Sequence, residues 1–239
     1  MAYGDLPLIE SATDPSLSVP GFPVRIPNSP TGPKTCVLRL PDTAELLTYL
    51  GSLKTRVRFL GNRKTKDEDV PNPAAALKLF KALRIDRVAN ADADANADAE
   101  WDADEAQYAI DTLTMYRIKD CERTGEQAFT VTLSTLFGDV THTVSIPFQR
   151  DRAEYQRRCY DATTLPHGVE ERRYPPEVPV ALYDKVILNV IGYVDPADTP
   201  GQLNGDDARR LVPPHHKRGV VVELLQQLSA LDPAIDPNS

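Results

Sequence analysis

Seven prolines punctuate the first 34 residues, at Pro7, Pro15, Pro20, Pro23, Pro27, Pro30 and Pro33, and no other feature limits so sharply what this chain can fold into. Each fixes φ and removes a backbone donor, so helix is excluded there and a long central strand is disfavoured. The pattern predicts an extended arm over residues 1–34. Within it Val24-Arg25-Ile26 forms a short edge strand, turning through Pro27 to Pro33 into a second strand at Cys36 to Leu40. Downstream the habit continues: 21 prolines against 12 glycines mean short elements with rigid ends.

Asp42 followed by Glu45 has the form of a capping box. Leu46, Leu50, Leu53 and Val57 then recur at helical spacing, predicting a helix over residues 42–58 with a basic opposite face. Gly61 to Asp69 is polar and predicts a loop. Pro73 then opens a helix through Leu83 that buries Leu77 and Phe80. From Ala89 to Glu105 the chain reads ANADADANADAEWDADE, an acidic low-complexity run with no basic residue between Arg87 and Arg117. Its like charges repel, which predicts a mobile linker with order resuming near Trp101. Asp92, Asp94 and Asn96 have the spacing of a calcium loop, but Ala97 stands where the turn needs glycine and Ala103 where the bidentate glutamate belongs.

A helix is expected over residues 103–118. The clearest pattern follows it: Phe129 to Leu133 and Val140 to Ile146, alternating on either side of Gly138-Asp139, predict a β-hairpin. Next come a charged helix near 149–160, a proline-rich loop, and a helix from Pro179 with Leu182, Val186 and Val190 inward. After another Pro/Gly loop, a last amphipathic helix runs from Pro214 to Leu231.

The expected fold class is α+β, as two small β-hairpin-plus-helices subdomains. Residues 1–34 are the arm, 35–88 the first subdomain, 89–104 the acidic linker, 105–231 the second subdomain and 232–239 a tail. Shifting the first half by 106 residues places Thr35 on Thr141, Pro41 on Pro147, Tyr49 on Tyr155 and Pro73 on Pro179. The recurring order of strand, proline, helix, loop, proline and helix predicts an internal duplication. Coincidence between two proline-punctuated stretches is the competing explanation.

Charge narrows the functional classes. With 27 Lys+Arg against 35 Asp+Glu the formal net charge is −8, the wrong sign for coating nucleic acid. The longest apolar runs fall far short of the roughly 20 residues that span a bilayer, and the start lacks a basic, then apolar, secretory pattern. Cys36, Cys121 and Cys159 form no C-x-x-C, which fits reduced thiols inside a cell. Phosphate-cradle, dinucleotide, serine-elbow and zinc-protease motifs are all missing from the sequence, so no enzymatic activity and no cofactor or metal is expected. His215-His216 is an adjacent pair, and adjacent helical residues diverge too far to share a metal as an i, i+4 pair does. Cys36 and His142 occupy equivalent places in the repeat and read as buried strand positions in separate subdomains. Two basic clusters, Lys54, Arg56, Arg58, Arg63, Lys64 and Lys66, then Arg150, Arg152, Arg157 and Arg158, lack interleaved aromatics for base stacking. They fit solvated faces, or contacts to an acidic protein partner.

Three stretches carry a family resemblance. They are Leu38-Arg39-Leu40-Pro41 with Arg63 and Val70-Pro71-Asn72; Thr132 to Gly138 with Thr141-His142 and Ile146-Pro147; and Val212-Pro213-Pro214-His215-His216-Lys217 leading into the last helix. Together they resemble tail assembly chaperone-like proteins encoded in the tail-morphogenesis region of long-tailed bacteriophages and prophages, over most of residues 35–230. The resemblance implies a non-enzymatic protein of the host bacterial cytoplasm that holds tape-measure or tail-tube subunits while the tail is built. The alternative is a structural virion component such as a tail terminator or connector, whose arm reaches over a neighbouring subunit. In either role, Val221, Leu224, Leu225, Leu228 and Leu231 on the last helix are the expected partner-binding or self-association stripe. The competing role for that stripe is to close the second subdomain's core.

Overall fold

The computed structural model describes residues 8–10, 18–61, 64–85, 100–136, 138–166, 169–192 and 202–231. In chain order the first half runs β1 (Leu8–Glu10), β2 (Ser18–Ile26), β3 (Lys34–Arg39), α1 (Thr43–Gly51), β4 (Lys54–Gly61), β5 (Lys64–Val70), α2 (Pro73–Leu83) and α3 (Ala103–Thr114). The second half continues with β6 (Tyr116–Arg123), β7 (Ala128–Thr135), β8 (Gly138–Ser145), α4 (Gln149–Arg158), β9 (Asp161–Leu165), β10 (Val169–Arg173), α5 (Glu177–Val186), β11 (Ile187–Ile191), β12 (Gln202–Asn204), α6 (Gly205–Leu211) and α7 (Pro214–Leu231). Three antiparallel sheets result, ordered β1-β2-β3, β5-β4-β10-β9 and β12-β11-β8-β7-β6, and the fold is α+β. Among the described residues no helix is long and apolar enough to cross a membrane.

Local chemistry sets the helix starts. Asp42 and Asp102 accept the backbone N–H of Glu45 and Glu105, whose side chains accept in return from the cap backbone, so two capping boxes open α1 and α3. Asn72 caps α2, with Pro73 at its first turn. In the β7-β8 hairpin Phe129, Val131, Leu133, Val140 and Val144 all point into the core, and Gly138 takes φ 111°, a left-handed value natural to glycine.

Several elements differ from expectation. The helix predicted over 42–58 ends at Gly51, and Val57 is buried from strand β4 instead. Thr55, Val57 and Phe59 alternate at strand period, a pattern the leucine spacing obscured. The predicted loop at 61–69 contains β5, and the proline-rich loop after α4 contains β9 and β10. Tyr116 and Ile118 lie on β6, and Val190 on β11, rather than on the preceding helices. The arm holds the nine-residue β2, central in its sheet despite Pro20 and Pro23. It tolerates them because β1 pairs only residues 18–20 and β3 only residues 21–26, so every position has a ladder partner on one side alone. The linker and calcium-loop expectations fall almost wholly outside the described residues; Trp101, described, is buried with its ring 5.1 Å from that of Phe80.

The two halves repeat in detail. Each is a three-stranded meander (β1-β2-β3, β6-β7-β8), a helix (α1, α4), a hairpin (β4-β5, β9-β10), a second helix (α2, α5) and a closing helix (α3, α7). Lys34, Cys36 and Leu38 correspond to Val140, His142 and Val144; Ala76, Leu79, Phe80 and Leu83 to Pro179, Leu182, Tyr183 and Val186. All are buried. Even the bridge from Leu38 to Arg84 recurs, as Val144 to Ile187. The single shift of 106 does not hold throughout, because the strands of the second hairpin, β9 and β10, are shorter than β4 and β5. Pro73 and Pro179 are therefore not equivalent: Pro73 opens α2, whereas Pro179 lies inside α5.

Two hydrophobic clusters follow the repeat. One joins β2, β3, α1, α2 and α3 around Phe80, Leu38 and Ile110; the other joins β7, β8, α5, β11 and α7 around Tyr183, Leu133 and Leu224. Helix α3, expected in the second subdomain, thus completes the first cluster. By packing, the units meet at Met115, between α3 and β6.

Candidate interaction surfaces

The stripe on α7 is mostly interior. Val221 and Leu224 are 0% exposed and Leu228 8%, all inside the second cluster, while Leu225 packs partly buried against it. Only Leu231 stands out, at 60% exposure. The helix lies across α5, β6 and β7, and its Gly219 sits against the Tyr116 ring. Three of the five predicted residues are therefore unavailable to a partner in the folded chain. The apolar period was real; what it met was the protein's own sheet.

Below this helix lies a polar centre that no motif announced. His142 on β8 is fully buried with Nδ1 2.9 Å from the Tyr183 hydroxyl. His216 is buried on α7, its ring centroid 4.2 Å from that of His215 and 5.9 Å from that of Tyr116. Burial drives His142 down to about 3 and His215 to about 4, and pushes His216 well below its ordinary 6.5, with the neighbouring histidines adding to that fall. All three are neutral near pH 7. Beside them the buried Lys217 donates to Asp184 at 2.7 Å and to the Arg209 carbonyl at 2.6 Å, tying α7 to α5 and α6. The first unit has its own buried pair: Lys34 donates to Glu105 at 2.9 Å and to the Glu100 carbonyl at 2.7 Å. Burial opposes ionisation of Glu105, but hydrogen bonds led by Lys34 outweigh it and lower the carboxyl pKa.

Cys36 and His142, equivalent in the repeat, sit in separate clusters. Burial pushes the Cys36 thiol up to about 12 and Cys121 to about 11, so neither is a thiolate at neutral pH. Among the described residues no group of three or more His, Cys, Asp or Glu is placed to hold a metal.

A cleft of about 310 Å³ opens where the units meet, with Tyr49, Asp69, Gln107 and Asp111 from the first and Tyr174 and Arg218 from the second. Gln107 donates to the Tyr49 hydroxyl at 2.6 Å and to Asp111 at 2.7 Å. Desolvation raises the pKa of both Asp111 and Tyr49. The cleft has room for a side chain or a small ligand.

The units also meet through helices α1 and α7 and through a sheet. Strand β4 pairs antiparallel with β10, setting Arg58 opposite Val169, Val57 opposite Glu170, Arg56 opposite Glu171 and Thr55 opposite Arg172. Lys54 donates to Glu171, whose pKa falls as a result. In the first basic cluster Lys54 thus meets an acidic partner and Arg56 stands opposite Glu171, while Arg56, Arg58 and Lys66 are exposed. Arg63 lies outside the described residues. In the second cluster Arg150, Arg157 and Arg158 are exposed. Sequence reasoning missed this junction, although the alternation Thr55-Arg56-Val57-Arg58-Phe59 was a usable signal.

Compared with protein-family models, curated proteins and solved structures, the chain matches none.

Proposed function

We propose that the protein is a non-enzymatic tail-morphogenesis protein of a bacteriophage or prophage, acting by contact with other tail proteins inside the bacterial host. The resemblance over residues 35–230 supplies the class. Of its two roles, structural subunit and assembly chaperone, the geometry supports the first better. The observation that carries this is the burial of Val221, Leu224 and Leu228, which removes the apolar groove a client helix would occupy. Two units sharing one sheet, with polar outer strands, suit a building block more than a reversible holder of apolar segments.

Mass spectrometry of purified particles, alongside a pull-down from the producing cell, tests the proposal. A structural subunit appears in the particle at fixed stoichiometry. Absence from particles together with capture of a tape-measure or tube subunit would return the chaperone role. Absence from both would end the tail proposal.

A further inference from the structure

The β4–β10 junction has a property that follows from the duplication. Within each unit's hairpin, β4 and β9 are the first strands and β5 and β10 the second. The chain joins the first strand of unit one to the second strand of unit two, a head-to-tail contact rather than a two-fold one. Such a contact does not consume itself. It leaves one first strand, β9, at one end of the four-stranded sheet and one second strand, β5, at the other. These are the same two kinds of edge that already pair inside the molecule.

We infer that β9 of one copy of this chain pairs antiparallel with β5 of the next, continuing the internal junction from molecule to molecule. Among the described residues no strand pairs with the outer side of either, Thr65 to Asp69 and Asp161 to Thr164 are exposed, and an edge strand presents unpaired N–H and C=O groups. Strand β9 reads Asp-Ala-Thr-Thr-Leu and carries neither the lysine nor the proline that commonly guards such an edge.

Charge selects the direction. Strand β5 carries Asp67, Glu68 and Asp69 just before its last residue, Val70. The start of β9, itself Asp161, is flanked by exposed Arg157 and by Arg158, which pairs with Glu154, at the end of α4, and by exposed Arg173 of β10, the residue opposite Asp161, so arginines outnumber acids there. An antiparallel approach brings the acidic end of β5 beside this arginine-rich end. A parallel approach brings Lys66 there and is repelled. Repetition of one heterologous contact closes a ring or continues as a filament, so assemblies larger than dimers are expected. The inference does not depend on the tail proposal.

The experiment uses two edge variants of the full chain, each checked for wild-type circular dichroism and unfolding. One reverses the β5 end (Asp67→Lys, Glu68→Lys, Asp69→Lys), the other the β9 end (Arg157→Glu, Arg158→Glu, Arg173→Glu). Wild type should sediment as multiples of 26.4 kDa well above two. Each variant alone should fall to a single chain, and a chain carrying both reversals should assemble again. Concentration-dependent hydrogen-exchange protection should appear in wild type over residues 65–69 and 161–165, a readout that needs no variant. A wild type that stays monomeric at every soluble concentration overturns the inference. So do variants that assemble like wild type, a double reversal that stays monomeric, or larger species whose two edges gain no protection.

Discussion

Acidifying the protein from pH 7 to pH 5 should destabilise it through its buried histidines. His142 has a folded pKa of about 3 against an ordinary 6.5, so between those values the unfolded chain binds a proton that the folded chain refuses. Stability therefore rises with pH across that window, at about 1.4 kcal/mol per unit for each such group, and is lost as pH falls below 6.5. From pH 7 to pH 5 the loss is about 2 kcal/mol for His142 and about 2 kcal/mol for His215, whose folded value is about 4, with His216 acting in the same direction. About 4 kcal/mol is a large share of the 5–15 kcal/mol typical of a folded protein. Glu45 and Glu171 have pKa values lowered from 4.5, so their contribution is lost only as pH falls below that value, and Asp111, whose pKa is raised, works against the histidines. Urea unfolding at half-unit pH steps, followed by circular dichroism, should show the midpoint falling by about 1 to 2 M between pH 7 and pH 5. His142→Gln should remove about a third to a half of the slope. A midpoint flat across the window would refute the reasoning, as would an unchanged slope in the double variant His142→Gln, His216→Gln.

Three other perturbations are calculable. Leu224→Lys with Leu228→Lys places two charges in the second cluster and should abolish the cooperative thermal transition; survival of the fold would return the α7 stripe to candidacy as an interface. Gly219→Ala puts a Cβ 2.5 Å from the Tyr116 ring, and overpacking of this kind costs about 1 to 3 kcal/mol, visible as a lowered melting temperature. Glu105→Gln strands the buried Lys34 and should cost about 3 to 5 kcal/mol, whereas Lys34→Met with Glu105→Leu should recover most of that loss in chemical denaturation.

What could be read in the sequence follows what each element buries. The β7-β8 hairpin and helices α2 and α7 were legible because each presents one apolar face to a core, giving Phe129-Val131-Leu133 at period two and Val221-Leu224-Leu228 at helical period. The sheet β5-β4-β10-β9 was not. Thr65 to Asp69 and Asp161 to Thr164 are exposed, so no apolar alternation marks those strands, and on β4 Val57 is the only buried one among the described side chains. The α7 stripe shows a second limit: spacing identifies an apolar face, while the identity of what covers it is a tertiary fact.

Divergence between the units accounts for the chemistry that no motif announced. At equivalent buried positions the first unit holds Cys36 and Phe80, the second His142 and Tyr183, and that exchange turns an apolar contact into the 2.9 Å hydrogen bond between β8 and α5. On the closing helices the buried residues Glu105, Ala106, Ala109, Ile110 and Leu113 correspond in order to His216, Lys217, Val220, Val221 and Leu224. The first unit satisfies its polar position with Lys34; the second has Val140 where that lysine stands and a neutral histidine where the glutamate stands. One backbone thus carries an ion pair in one copy and uncharged imidazoles in the other. The acid sensitivity between pH 5 and pH 7 accordingly belongs to the second unit, and the first should follow only through the contacts that join them.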